Sequence, residues 1–352
     1  MFPMDLLPRY VLNSARTAAL AALGRLDATA RYPIDCCFIV TWRCNLRCRY
    51  CYESVGQRPP SRCQQELDTD GLRRALANLR QVVDVLVVSG GEPTCRADIV
   101  EILACAHELG FREIVLNTNL VRLPDLAFLD HVDQVMVGLD ALTCDSFVAL
   151  TRGTEAQFKQ QMENLELLLR LRQERRFDLC LSSVIVADRL HEVERILDFC
   201  VRHQVLVAFS PHVADLKVDP ALRRSRRYRE LADNLYRARQ AGLPLLGTPA
   251  YYRGIRDLAP FRCIPMANLT LEPDGRMRWP CGEADPAGPS FADGESWPQM
   301  IAAARAEKGE VPKDCQGRCH FGCRLALSSL VNRPWDLPSE ALHLWRHKRY
   351  SR

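Results

Sequence analysis

From residue 34 onward, short apolar runs alternate with longer stretches in which apolar residues recur at helical spacing. The short runs predict strands at 34–41, 84–93, 113–119, 134–140, 179–186 and 205–211. The longer stretches predict helices at 68–82, 96–110, 124–131, 155–175 and 190–203. Because strands and helices alternate, the pattern predicts an α/β fold with a parallel sheet. Functional groups are then expected in the loops after the strands.

The pattern differs at both ends of the chain. Residues 1–33 carry apolar residues at helical spacing, such as Leu7, Val11 and Ala15, and predict an amphipathic helix that packs on the protein or contacts a membrane surface. Charged residues interrupt this segment, so it resembles neither a signal peptide nor a transmembrane span. At the other end, residues 331–352 are expected to form a C-terminal tail.

The segment between the sheet and the tail changes character twice. An arginine-rich helical stretch and a run with glycines and prolines predict a linker over 216–260. Tyr251 and Tyr252 lie in this linker, which we expect to cross the barrel mouth and cover the substrate. Asp274-Gly275 then predicts the turn of a hairpin that brings Cys263 and Cys281 together.

Composition narrows the classes of function. Of the 352 residues, 47% are hydrophobic and 26% are charged, which suits one large domain and a smaller one. A net charge of +4 is too small to indicate a nucleic-acid partner. Sixteen cysteines without a signal peptide favour metal binding over disulfides and predict a cytoplasmic protein.

Three of these cysteines follow the first predicted strand, in "CNLRCRYC". Cys44, Cys48 and Cys51 can hold three irons of a [4Fe–4S] cluster and leave the fourth iron open to a ligand. A coincidental spacing or a zinc site also fits the triplet alone.

The C-x3-C-x2-C spacing after the first strand resembles the signature of the radical S-adenosylmethionine (radical SAM) enzymes. The resemblance implies a partial (β/α)6 TIM barrel over 34–215, with SAM on the open iron. It also implies that the reduced cluster cleaves SAM to a 5′-deoxyadenosyl radical, and that a reductant such as flavodoxin or ferredoxin supplies the electron.

The same resemblance suggests which residues contact SAM. Its motifs are "GGEP" after the second strand, "NTN" after the third, "GLD" after the fourth, and an aromatic residue inside the cysteine loop. The residues concerned are Tyr50, Gly90, Gly91, Glu92, Pro93, Asn119, Asp140, Arg152 and Ser183. A simple turn at "GGEP" and an ion-paired surface arginine at 152 are the alternatives.

The C-terminal cysteines resemble the auxiliary-cluster extensions called SPASM and twitch domains, which places a small cysteine-rich hairpin and helix domain at 261–330. We expect one auxiliary [4Fe–4S] cluster held by Cys263, Cys281 and two of Cys315, Cys319 and Cys323. The spacing departs from the family pattern, since five residues separate Gly275 from Cys281 where four are usual. A structural zinc remains the alternative.

These observations predict a radical SAM oxidoreductase that abstracts hydrogen from a small molecule, with net oxidation or rearrangement. About 33 residues precede the first strand, which is short for a domain that grips a leader peptide. Maturation of a ribosomal peptide and modification of a lipid are the alternatives within the family. The non-enzymatic alternatives are an iron–sulfur electron-transfer or scaffold protein and a binding module stabilised by zinc. No general acid or base is assigned.

Overall fold

The structure is a computed structural model that describes residues 33–51, 65–214, 216–310, 317 and 319–347. The helix predicted within 1–33 lies outside these ranges except for Pro33, and Cys315 also lies outside them. No helix in the described part of the chain has both the length and the apolar character needed to cross a membrane.

Strands and helices alternate along the first two thirds of the chain, as the sequence pattern predicts. The strands are β1 (Asp35–Ile39), β2 (Val85–Ser89), β3 (Glu113–Thr118), β4 (Gln134–Gly138), β5 (Asp178–Ile185) and β6 (Leu206–Pro211). The helices between them are α1 (Thr69–Leu79), α2 (Ile99–Glu108), α3 (Cys144–Thr151), α4 (Glu155–Leu171) and α5 (Leu190–His203), and a 3-10 turn spans Leu126–Asp130.

The C-terminal third adds short strands and further helices. The strands are β7 (Val213–Ala214), β8 (Lys217–Val218), β9 (Asn268–Leu271), β10 (Arg276–Arg278) and β11 (Pro286–Ser290). The helices are α6 (Pro220–Arg224), α7 (Arg226–Gln240), α8 (Pro249–Asp257), α9 (Trp297–Lys308), α10 (Gly322–Asn332) and α11 (Leu337–His347).

Nine strands form one sheet in the order β11-β10-β9-β1-β2-β3-β4-β5-β6. The strands β1 to β6 are parallel neighbours, and β9 pairs parallel with the outer edge of β1. The predicted hairpin is present as β9 and β10, with Gly275 at a φ of 78° in its turn. It continues the main sheet. In the described residues the far edge of β6 meets only an isolated bridge between Val207 and Leu245, so the barrel stays open.

Alternation along the strands decides which side chains reach the barrel interior. Residues such as Phe38 and Leu116 are buried in the core that also contains the apolar faces of the helices. Successive side chains of a strand point to opposite faces. The residues of opposite phase therefore face the interior, and those nearest the carboxyl ends are polar, as Ser89, Asn117 and Ser182 show.

The two tyrosines of the predicted linker lie inside the protein, and coverage of the substrate by that linker stays a prediction. Both side chains are buried, and their hydroxyls donate to backbone carbonyls: Tyr251 to Phe209 O at 2.6 Å and Tyr252 to Leu246 O at 3.0 Å. The predicted linker contains the helix α8, whose first residue is Pro249 and whose N-cap Thr248 accepts from the Tyr251 N–H. The tyrosines therefore fix α8 to the sheet.

The helix α11 packs on the protein through polar contacts. Glu340 pairs with Arg239 of α7, His343 Nε2 bonds to Leu245 O at 3.0 Å, and His347 Nε2 bonds to Gly242 O at 2.9 Å. Burial, together with the positive charge of Arg239, lowers the pKa of His343 to about 4. His343 is therefore neutral when α11 is packed at neutral pH.

Acid is expected to weaken this packing. The pKa of His343 is 6.5 in the unfolded chain and about 4 in the fold, so the unfolded chain binds more protons between these values. The free energy of unfolding should therefore fall by about 2–3 kcal/mol as the pH falls from 6.5 toward 4. Arg239, Arg346 and His347 all face His343, and they disfavour its protonation.

The free energy of unfolding, measured across this pH range, tests the prediction. The His343→Gln variant, which keeps a donor for Leu245 O, should show a flatter pH dependence than the native protein. The His191→Gln variant, at a partly buried histidine of α5, should not. Equal pH dependence in the native protein and the His343→Gln variant would remove His343 from the account.

Candidate functional site

The three-cysteine loop follows β1 and is held against the carboxyl end of α3. Arg47 N donates to Thr151 O and Arg49 N donates to Leu150 O, each at 3.0 Å. Leu46, between the first two cysteines, is buried against Phe147 and Leu150. The loop is therefore anchored between its cysteines, which fixes where their thiols lie.

The thiols of this loop suit an iron–sulfur cluster. Burial raises the pKa of Cys44 and of Cys48 to about 12, so both stay protonated at neutral pH unless a cation such as iron binds them. The Leu46 N–H donates to Cys44 Sγ at 3.4 Å, a bond that stabilises a thiolate. In the described ranges, no three Cys, His, Asp or Glu side chains are grouped to hold a single metal ion. Three thiols in one loop fit three corners of a cube.

A cavity of about 240 Å³ opens at the carboxyl ends of the parallel strands. Cys48 and Tyr50 of the cysteine loop form part of its wall. The rest comes mainly from the last residues of β2 to β6 and the residues that follow them, including Ser89, Gly90, Gly91, Glu92, Asn117, Asn119, Gly138, Asp140, Ser182, Ser183 and Ser210. A polar cavity beside a thiol loop can hold a charged, hydrogen-bonding cofactor.

Gly90 and Gly91 bring the end of β2 against the cysteine loop. A Cβ on Gly90 would lie 2.7 Å from Thr41 O, which no side chain tolerates. Gly91 N donates to Thr41 O and Glu92 N donates to Arg43 O, each at 2.8 Å. The glycines thus let bare backbone line the cavity next to the thiols.

Glu92 joins the ends of β2 and β3. Its buried carboxylate accepts from Thr94 N, Thr94 Oγ1, Thr118 Oγ1 and Asn119 N at 2.7–3.1 Å. Burial raises the pKa of this carboxyl, while the donors lower it. Protein donors surround the carboxylate, so it also orders the wall that it belongs to.

Asn119 continues this connection to the cysteine loop, since its Nδ2 donates to Asn45 Oδ1 at 2.7 Å. The ends of β2 and β3 and the loop are therefore linked through consecutive hydrogen bonds.

Tyr50 and Asp140 connect the loop to the opposite wall. The Tyr50 hydroxyl donates to Asp140 Oδ2, and Val184 N donates to Asp140 Oδ1 at 2.6 Å. The Ser183 hydroxyl also bonds to this carboxylate. Burial raises the pKa of Asp140 to about 6. The contact brings an aromatic ring, a carboxylate and a hydroxyl to one side of the cavity.

Two residues named from the sequence lie elsewhere. Arg152 is exposed, at the left-handed C-cap of α3, and does not line the cavity. Pro93 is buried at the start of a 3-10 turn, behind the cavity wall. A contact of either side chain with SAM stays a prediction.

Sequence reasoning missed Gln161. Its Nε2 donates to Asn119 O at 2.8 Å and to Gly138 O at 3.1 Å, which supports the ends of β3 and β4. Gln161 is a polar residue on the buried face of α4, where helical periodicity leads one to expect an apolar side chain. That mismatch is the signal that could have identified it.

The C-terminal cysteines surround a buried arginine. Cys263 precedes β9, Cys281 follows β10, and Cys323 lies in the first turn of α10. The backbone N–H of Arg324 bonds to the Cys323 thiol, and the Arg324 guanidinium interacts electrostatically with Cys281 and Cys323. Two of the predicted auxiliary ligands thus share one cationic neighbour.

Gly282 makes room for this arginine. A Cβ there would lie 1.3 Å from Arg324 Nη2, so the guanidinium occupies the space beside the Gly282 backbone. Arg324 Nη1 donates to Pro265 O at 2.9 Å, and Nη2 donates to Thr270 Oγ1 at 3.1 Å. The arginine fixes the segment of Cys281 to β9 and α10.

The model of the radical SAM superfamily matches residues 38–200 of the chain, which include the cysteine loop and the end of β2. Residues 38–200 form a radical SAM domain. Domains of this family bind a [4Fe–4S] cluster and SAM, and these are the cofactors that the thiol loop and the cavity beside it fit.

Curated relatives match part of this chain over part of their own length. The PqqA peptide cyclase of Methylorubrum populi is 33% identical over 179 residues, which cover 48% of this chain and 43% of the cyclase. The GTP 3′,8-cyclase of Geobacter sulfurreducens is 36% identical over 122 residues, which cover 34% of this chain and 37% of that enzyme. The chain spans less than half the length of these relatives.

Solved structures share the fold. Streptococcus suis SuiB bound to S-adenosylmethionine has a TM-score of 0.56 at 16% identity, over 77% of this chain and 65% of SuiB. Native anSMEcpe with bound AdoMet has a TM-score of 0.56 at 12% identity, over 88% of this chain and 98% of its own. The predicted partial barrel is confirmed.

Proposed function

We propose that this protein is a radical SAM enzyme that cleaves SAM reductively and abstracts hydrogen from a small-molecule substrate, with net oxidation or rearrangement. The cavity at the carboxyl ends of β2 to β6 carries the proposal, because the thiol loop and the bare backbone of Gly90 and Gly91 lie on its wall. A single ligand bound in this cavity would contact both the thiol loop and the glycine backbone.

The chain's residues have separate tasks in this proposal. Cys44, Cys48 and Cys51 hold the cluster, and the backbone at Gly90 and Gly91 receives the amino group of SAM. When bound, the cluster supplies the electron that cleaves SAM to a 5′-deoxyadenosyl radical. The other SAM contacts in this proposal are residues of the cavity wall: Tyr50, Glu92, Asn119, Asp140 and Ser183.

Neighbouring groups orient SAM and exclude water from the cavity. Asp140 accepts from the Tyr50 hydroxyl and from Val184 N, so its carboxylate is held in place for a ribose hydroxyl. Leu46 and Phe147 supply apolar surface to the cavity, which keeps water from a reactive radical. A low-potential cytoplasmic reductant such as flavodoxin or ferredoxin is part of the proposal.

The direct test is SAM cleavage by the anaerobically reconstituted protein. With dithionite as reductant, 5′-deoxyadenosine should form in amounts that exceed one equivalent per chain on prolonged incubation. Protein that contains iron and sulfide yet forms no 5′-deoxyadenosine above a no-protein blank would contradict the proposal.

We also propose an auxiliary [4Fe–4S] cluster on Cys263, Cys281 and two of Cys315, Cys319 and Cys323. Its support is the buried cation of Arg324 next to Cys281 and Cys323, which offsets the negative charge of thiolate ligands. Such a cluster could accept an electron from a substrate radical and favour oxidation.

Changing Cys281 to alanine tests the auxiliary cluster. We expect the loss of about four of about eight irons per chain, retained cleavage of SAM in the absence of substrate, and lost substrate turnover. The matched control is Cys144→Ala, at the start of α3, which should keep all the iron. Unchanged iron in the Cys281→Ala variant, or zinc in its place, would contradict an auxiliary iron–sulfur cluster.

Peptide modification is the second candidate. The 179-residue match to PqqA peptide cyclase favours it. Incubation with deuterated small molecules or with peptides separates the two, because only a substrate transfers deuterium to 5′-deoxyadenosine.

A further inference from the structure

The C-terminal helix α11 is inverted relative to an ordinary surface helix. Its buried residues, Glu340 and His343, are polar and bond to the protein, while Leu337, Ala341 and Leu344 are only partly buried. Its outer side carries Leu342 and Trp345, which are 46% and 57% exposed, together with Ser339 and Arg346. A surface helix normally turns its large apolar side chains to the core. The outer side of α11 therefore carries two large apolar side chains that do not serve the core.

Trp335 extends this apolar surface. It lies in the 3-10 turn just before α11 and is 67% exposed. The other tryptophans of the chain, Trp42, Trp279 and Trp297, are buried. We call Trp335, Leu342 and Trp345 the C-terminal apolar face. Large side chains exposed together on one segment mark an interaction surface.

The charges around the C-terminal apolar face are mainly positive. Arg333 lies over the Trp335 ring, 5.7 Å from its centroid, and Arg346 is exposed next to Trp345. The sequence continues with Lys348, Arg349 and Arg352. Asp336 bonds to Arg333 at 2.8 Å and balances its charge, and Glu340 pairs with Arg239, so the excess positive charge of the segment comes from Arg346 and the basic residues that follow it in the sequence.

This combination fits an anionic lipid surface better than a protein groove. Tryptophan rings favour the boundary between headgroups and acyl chains, and basic side chains favour anionic headgroups. The apolar residues here are two tryptophans and a leucine with arginines on both sides. A second copy of this chain would bring the same basic residues to the contact, so self-association through this face would place like charges together.

We propose that the C-terminal apolar face binds membranes rich in anionic lipids. The inference stands apart from the chemistry proposed above, because the face belongs to α11 and the turn before it, whereas the cavity belongs to the barrel strands. It places the enzyme at a lipid surface through this face.

Sedimentation of the reconstituted full chain with vesicles tests the proposal. Native protein should bind vesicles of phosphatidylcholine mixed with phosphatidylglycerol, bind those of phosphatidylcholine alone weakly, and dissociate as salt is added. The Trp335→Ala, Trp345→Ala double variant loses two interfacial rings, so its affinity for the anionic vesicles should fall by about tenfold or more. Its iron content should equal that of the native protein.

Two controls and a second measurement sharpen the result. Val201→Ser removes an exposed apolar side chain on α5 and should leave binding unchanged. Arg346→Glu should weaken binding to anionic vesicles only. Bromine-labelled phosphatidylglycerol should quench the tryptophan emission of the native protein, which requires no variant.

Three results would overturn the proposal. They are native protein that stays in the supernatant with both vesicle types, equal binding by the double variant, and a native dimer that the double variant converts to a monomer. The last would show that the face joins two copies of the chain.

Discussion

Replacing any one of Cys44, Cys48 or Cys51 with alanine is expected to abolish the formation of 5′-deoxyadenosine. Each thiolate holds one iron of the cluster, and the loop fixes the positions of all three through the bonds of Arg47 and Arg49 to α3. Without one ligand the cluster is lost or displaced, so SAM has neither its binding iron nor its electron. The measurement is chromatographic detection of 5′-deoxyadenosine after reduction with dithionite.

Cys105 supplies the control. It lies on α2, partly buried against the hydrophobic core and far along the chain from the loop. The Cys105→Ala variant should form 5′-deoxyadenosine at the native rate. If a loop variant still formed it at a comparable rate, the assignment of the loop as the cluster site would fail.

Replacing Glu92 with alanine is expected to reduce both stability and SAM affinity. The substitution leaves the buried donors Thr94 N, Thr118 Oγ1 and Asn119 N without their acceptor. Leaving a buried group unpaired costs about 1–3 kcal/mol, so we expect a loss of about 3 kcal/mol or more in the free energy of unfolding. The ends of β2 and β3 then lose their common anchor, and SAM binding should weaken while iron content stays near native.

Denaturant unfolding and equilibrium binding of SAM measure the two effects. Glu92→Gln keeps one acceptor oxygen and should be less affected in both. The exposed Glu108→Ala variant at the end of α2 should change stability by less than about 0.5 kcal/mol. Native stability and native SAM affinity in the Glu92→Ala variant would show that the carboxylate neither anchors nor binds.

The parts of the fold that depend on local pattern could be predicted from the sequence. The strands appear in the sequence as short apolar runs, such as the one that contains Cys36 and Phe38 of β1, and these runs are visible without any structure. Because parallel strands end at the same edge of a sheet, the loop after β1 and the residues after β2 were expected to meet. They do, through Gly91 and Thr41.

The parts that depend on long-range packing could not be predicted. Gly282 is required because Arg324 of a later helix lies against it, and no local signal records that contact. The helices within the predicted linker 216–260 could not be bounded from its prolines and glycines, because Pro249 begins a helix, in the position that suits proline, rather than ending one. The inversion of α11 depends on partners in the segment 239–247, far from it in sequence.

The proposed function depends most on two iron–sulfur sites, one on each cysteine group. The measurement that tests this claim directly is iron and sulfide per chain after anaerobic reconstitution, for the native protein and for the triple alanine variant of Cys44, Cys48 and Cys51. We predict about eight irons per chain in the native protein and about four in the variant. About four irons that fall to none, with zinc in both proteins, would contradict the auxiliary cluster and leave the radical SAM domain alone.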